Sequence, residues 1–161
     1  MIRYAKAGDH AAIEAVTAAA FGKRDEAALI ARLRADEDVM FELVAEDAGQ
    51  IIGHILFSRL WADRPDLYAA LAPVSVLPAR QNAGLGSSLI RSGLECVREF
   101  GAHGVLVLGH PAYYPRFGFS ADAAAQVRSP YAGSPAFMAL ALEEHAFAGP
   151  LSVTYPDAFS H

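Results

Sequence analysis

Residues 73 to 89 read Pro-Val-Ser-Val-Leu-Pro-Ala-Arg-Gln-Asn-Ala-Gly-Leu-Gly-Ser-Ser-Leu: an apolar extended stretch, a loop with two glycines, and the opening of a helix. At about 100° per residue, Leu89, Ile90, Gly93, Leu94, Val97 and Phe100 share one arc and Ser88, Arg91, Glu95, Arg98 and Glu99 the other, which predicts a helix from about Ser87 to Phe100. Gly101 ends it, and Gly104 leads into Val105-Leu-Val-Leu108. Such an unbroken branched run suits a strand covered on both faces, as in a parallel pair. Strand, glycine loop, helix and strand together make a βαβ unit.

The flanking sequence adds mostly antiparallel elements. Ile2 to Ala5 suits a short strand, and Asp9 is placed to cap a helix carrying Ile13, Val16, Ala20 and Phe21 at helical spacing. A second helix runs from about Asp25 to Asp36, with Leu29, Ile30 and Leu33 as its buried stripe. Phe41 to Asp47 alternates as a half-buried strand does. Ala48-Gly49-Gln50 then turns the chain into a returning strand from Ile51 to Ser58. Asp66 to Leu77 is extended, and two apolar runs follow near 137–142 and 151–155.

The chain has 161 residues, 53% apolar and 19% charged, which is one domain's worth of sequence with enough apolar surface for a sizeable core. A net charge of -5 and a pI near 5.6 argue against a nucleic-acid binder that works through a broad basic face. The single cysteine, Cys96, points to a reducing compartment and to a packing role. No run suits a membrane span and no signal peptide is visible, so the expectation is a cytoplasmic protein without a membrane partner. The six histidines show no zinc-ligand spacing, and no metal is expected.

Glycines at 84 and 86 let the backbone approach a ligand, at a helix start where free amides and the macrodipole favour phosphate oxygens. A nucleotide-triphosphate loop would need a Gly-Lys-Ser/Thr ending, and no lysine is near. A dinucleotide fingerprint would need a small residue where Leu89 stands. Gln81-x-x-Gly84-x-Gly86 after Val74-x-Val76-x-Pro78 instead resembles the pyrophosphate loop of the GCN5-related N-acetyltransferases. Tyr114-Pro-Arg-Phe-Gly-Phe119 is similar to that family's Tyr-x-x-x-Gly-Phe signature. The longer string Leu108-Gly-His-Pro-x-Tyr-Tyr-Pro-Arg-Phe-Gly-Phe119 looks like the bacterial YhbS-type subgroup, as do Ala136-Phe-Met-Ala-Leu140 and Tyr155-Pro-x-Ala-Phe159.

The resemblance implies an α/β (α+β) GNAT fold in a single domain over residues 1–161, with a core to about 120 and a subgroup-specific tail from about 121. Its mixed, mostly antiparallel sheet is flanked by helices and splayed between strands 4 and 5. Acetyl-CoA is implied as acetyl donor, with direct transfer to a primary amine on a small molecule or peptide.

Pyrophosphate would lie on the amides of Gln81, Asn82, Ala83, Gly84, Leu85, Gly86 and Ser87, and pantetheine along Val74, Ser75 and Val76, facing Val105 to Leu108 across the gap. The amide of Val76, or one close by, would serve the thioester carbonyl, and Tyr114 the leaving thiolate, with Tyr113 the adjacent alternative. The strand before the loop carries no carboxylate, which departs from many relatives. His110 is the most natural substitute base, against the alternative of a loop histidine that caps the short helix start at Pro111; His54, Ser58 or a water chain are further alternatives. A non-catalytic acetyl-CoA-binding module is the rival reading. The tail strands offer one surface on which a homodimer could form.

Overall fold

The computed structural model describes residues 1–160. Its elements are β1 (Ile2–Tyr4), α1 (His10–Phe21), α2 (Asp25–Ala35), β2 (Val39–Asp47), β3 (Gln50–Ala62), β4 (Tyr68–Val76), α3 (Leu85–Glu99), β5 (Gly104–Leu108), β6 (Val127–Arg128), β7 (Phe137–Ala141) and β8 (Leu151–Thr154). The main sheet runs β1-β2-β3-β4-β5-β7, and β8 joins the far end of β3 and pairs with β6. Within that main order every pairing is antiparallel except β4 with β5. This is the GNAT fold, with the parallel pair where the βαβ reading puts it.

Central β3 explains the layering. Ile55 and Phe57 face α3 and pack with Leu43, Leu71, Leu89, Ile90 and Val97. Leu56 faces α1 and α2, among Ile13, Val16, Ile30, Leu33 and Val44. Each such side chain removed from water stabilises the fold by about 1.5–3 kcal/mol. Gly93 sits where α3 crosses Phe57: a Cβ there would come within 2.5 Å of the Phe57 ring, so the glycine sets how closely helix and sheet approach. A third cluster joins Tyr68 and Leu106 to Phe137, Leu151 and Val153, so the tail packs directly on the main sheet. Its strands β7 and β8 pair with β5 and β3, and β7 forms the last strand of the main order.

Several local expectations shift. α3 begins at Leu85, because Gly84 takes a left-handed φ of 85° and serves as its N-cap. Asp9 does not cap α1 with its side chain; its carboxylate instead takes the Arg3 guanidinium at 2.8 Å and the Lys6 amide. Ala27 rather than Leu29 completes the buried stripe of α2. Phe100 is 53% exposed and stacks on Phe41 instead of entering the core.

The pairing across the parallel junction also differs. Val105 to Val107 match Ala69 to Leu71, and the ladder stops there. Pro73 has no N–H to continue it, and the register of β3 against β4 shifts between Ile55 and Phe57. Val74 to Val76 are therefore free of β5, and the sheet opens between the two strands.

Candidate functional site

The opened edge of β4 leads at one end into the glycine loop. Leu77 donates to the Ile52 carbonyl at 2.9 Å, so in the alternating ladder the next bonded pair is His54–Ser75. The N–H groups of Val74 and Val76 accordingly face away from β3, into the gap. Ser75 is set apart from them: its side chain is 1% exposed and turned toward Thr17 of α1, 3.4 Å away.

Beyond Val76, the loop curls around a cavity of about 280 Å³. Asn82 and Gly84 have φ of 65° and 85°, which turns successive amides toward one concave side. The first bond of α3 runs from Ser88 N–H to the Gly84 carbonyl, so the amides of Leu85, Gly86 and Ser87 have no intrahelical acceptor. A Cβ on Gly86 would lie 3.7 Å from the Tyr113 hydroxyl and 3.8 Å from Val76 Cγ2, and would fill the cradle. Gln81 lines the same cavity while its side-chain amide donates to the Val76 carbonyl at 3.0 Å. Ala83 is exposed and can offer only its backbone.

Two arginines that sequence reasoning did not assign complete this cradle. Arg80 pairs with Asp47 at 2.8 Å. Arg116 lies over the Tyr113 ring, 4.4 Å from its centroid, and donates to the Tyr113 carbonyl at 2.9 Å. Free amides, a helix start and two guanidiniums on one concave side are groups that can together hold a polyanion.

The other end of the gap is a second cavity, of about 420 Å³. Its walls come from the α1–α2 junction (Phe21, Glu26, Leu29), from β4 between Leu71 and Val74, and from Leu108 to His110 with Tyr114. Val74 lines this cavity and Val76 the cradle, so the two outward amides are divided between them. The adjacent tyrosines divide likewise, Tyr113 to the cradle and Tyr114 to the splay cavity. Burial pushes the Tyr114 hydroxyl up to about 12, with Tyr113 adding a smaller push, so it stands as a neutral donor near neutral pH.

His110 is exposed at the cavity wall, and its carbonyl accepts from the amides of Tyr113 and Tyr114 at 3.0 and 3.3 Å. His54 and Ser58 are fully buried and line neither cavity. His54 Nε2 instead meets Glu42 at 2.8 Å, and Arg34 holds the same carboxylate.

Glu26 is the wall residue that sequence reasoning missed. It stands in the first turn of α2, where an acid is favoured by the helix dipole, so its position in the chain carries no further signal. Its Oε1 is buried and accepts no hydrogen bond from the described residues. Among the described residues, no group of three or more His, Cys, Asp or Glu could hold a metal ion.

Residues 9–119 match the acetyltransferase (GNAT) family model. The chain belongs to that family. It is 44% identical over 117 residues to Escherichia coli YjhQ, described as an uncharacterized N-acetyltransferase; the match covers 69% of this chain and spans only 64% of YjhQ. It is 36% identical over 128 residues to YhbS of the same organism, covering 78% of this chain and 77% of that one. The crystal structure of Escherichia coli YhbS in complex with CoA superposes with a TM-score of 0.90 at 33% identity, over 100% of this chain and 92% of the other. A Brucella melitensis GNAT acetyltransferase in complex with acetyl-CoA gives 0.83 at 37% identity, over 99% and 97%.

Proposed function

We propose that the protein transfers the acetyl group of acetyl-CoA to a primary amine by direct attack in a ternary complex. The observation that carries this reading is the edge of β4 left free of β5, which joins a cradle for a polyanion to a largely apolar cavity holding a part-buried phenol. An extended, amide-bearing thioester with a pyrophosphate at its far end matches that shape and chemistry. The CoA and acetyl-CoA complexes of the two structural relatives support the same donor.

Pyrophosphate rests on the amides of Gln81 to Ser87, with Arg80 and Arg116 beside it. Pantetheine pairs along the gap with Val76. Val74, being the outward amide that lines the splay cavity, serves the thioester oxygen better than Val76, the sequence-based choice. A hydrogen bond there offsets the negative charge that develops during attack. Tyr114 donates its proton to the departing sulfur; as a neutral phenol it carries that proton throughout the working pH range. His110 accepts a proton that the nitrogen sheds on becoming an amide.

Calorimetric titration of acetyl-CoA, with NADH and ATP as controls, tests the donor assignment. Micromolar binding of acetyl-CoA alone supports it, and absence of heat together with absence of competition by CoA overturns it. Turnover across an amine panel then separates an enzyme from a non-catalytic acetyl-CoA-binding module. Acetylation that falls at least about tenfold in Tyr114→Phe, or about 1.4 kcal/mol of barrier, supports catalysis through this phenol.

A further inference from the structure

We infer that Glu26 is the carboxylate that receives the acceptor's ammonium and takes its first proton, and that the acceptor is a primary amine on a slender apolar stem. The inference rests on the acetyl-transfer reading of the same cavity. Glu26 Oε1 is withdrawn from solvent without a protein donor, an arrangement that costs free energy unless a ligand supplies the missing partner. No Lys or Arg lines the cavity, and Glu26 forms no ion pair among the described residues. Its charge is therefore left for something that enters from outside. The neighbouring walls are Phe21, Leu29, Leu71, Pro73 and Leu108, which suit methylenes or an aryl ring but no second charge. A volume of about 420 Å³, shared with the acetyl end of the donor, leaves room beside Glu26 for a narrow amine-bearing stem.

Glu26 removes one proton from the ammonium, which frees the lone pair. Nitrogen attacks the thioester carbon, the new C–N bond forms and the C–S bond breaks. The thiolate takes the Tyr114 proton. His110 accepts the second proton from nitrogen and returns it to the tyrosine oxygen, while Glu26 releases the first to solvent. One proton is thus lost per amide formed.

The test uses Glu26→Gln in the full chain, with binding and turnover read separately. Calorimetry with hexylamine and phenethylamine should show binding to the wild type weakened at least about tenfold in the variant. The corresponding alcohols should bind neither protein, and acetyl-CoA should bind both alike. In turnover, Glu26→Gln should lose about a hundredfold in kcat/KM on these ammonium acceptors. It should lose less than about threefold on phenylhydrazine, which is already neutral at pH 7. Equal losses on both acceptor types, or equal amine binding in the two proteins, overturns the inference. Binding of acetyl-CoA without binding of any amine overturns it too, while leaving the donor assignment intact.

Discussion

Ser87 Oγ lies 2.8 Å from the hydroxyl oxygen of Tyr113, tying the first turn of α3 to the turn that carries Tyr114. The two tyrosine rings meet edge to face, with centroids 5.3 Å apart and an interplanar angle of 85°, so neighbours in sequence serve different cavities. Tyr113→Phe should weaken acetyl-CoA by about fivefold, the worth of one hydrogen bond, with little change in kcat. Tyr114→Phe should do the reverse. Calorimetry alongside steady-state kinetics of both variants checks the split.

Gly109 is the floor on which Tyr114 rests, since a Cβ there would run into the Tyr114 ring. Gly109→Ala should therefore displace the phenol and lower kcat by at least about tenfold, with acetyl-CoA binding kept. On a Tyr114→Phe background the same change should add little to the loss, because both act on one hydroxyl. A double-mutant cycle in kcat decides this.

The guanidiniums at the cradle predict a salt dependence. Arg80 is half-exposed and already paired with Asp47, so its contribution to an entering polyanion is screened by water. Arg80→Ala and Arg116→Ala should each weaken acetyl-CoA by about threefold to tenfold at low ionic strength, and by less as salt rises. Titrations at two salt concentrations read the effect.

A pH effect on stability follows from the buried Arg34–Glu42–His54 network. Burial pushes the His54 ring below its usual 6.5, and the Glu42 carboxylate only partly offsets this; Arg34 and His10 push the same way as burial. Burial alone would raise Glu42, but its bonds to His54 and Arg34 prevail and hold it at about 2. Below pH 6.5 the unfolded chain binds a proton at position 54 that the folded chain refuses. Stability should fall from there with a slope of at most about 1.4 kcal/mol per pH unit. A second loss should set in below the usual 4.5 of Glu42. His54→Gln keeps a donor for Glu42 and should remove the first leg alone, as read from thermal midpoints between pH 8 and 4.

The cradle was legible because it is a local object: Gly84, Gly86 and the amides after them are contiguous, and their geometry follows from spacing. The same holds for Tyr114, which one short string carries. Glu26 was not legible, because it lies about 88 positions from Tyr114 in the chain, and only the packing of α2 against the opened strands brings them to one cavity. Ser75 shows the opposite limit. It sits in the right string, yet the period of a strand sends its side chain to the α1 face. Asp9 likewise had the right type for a cap, but Arg3, held on its other side by the sequence-distant Glu46, draws its carboxylate into an ion-pair network.

The interruption after Leu71 leaves main-chain donors unpaired inside the sheet rather than at its margin. An exposed row of this kind on an outer strand invites another chain to add itself, and with it fibre growth. Here the row is recessed, with β3 hydrogen-bonded behind it and the Leu108–Tyr114 wall in front. A slender ligand can lie along it; a neighbouring protein's strand has no room to continue from it. The protein thus keeps a sticky surface permanently available while confining who can use it.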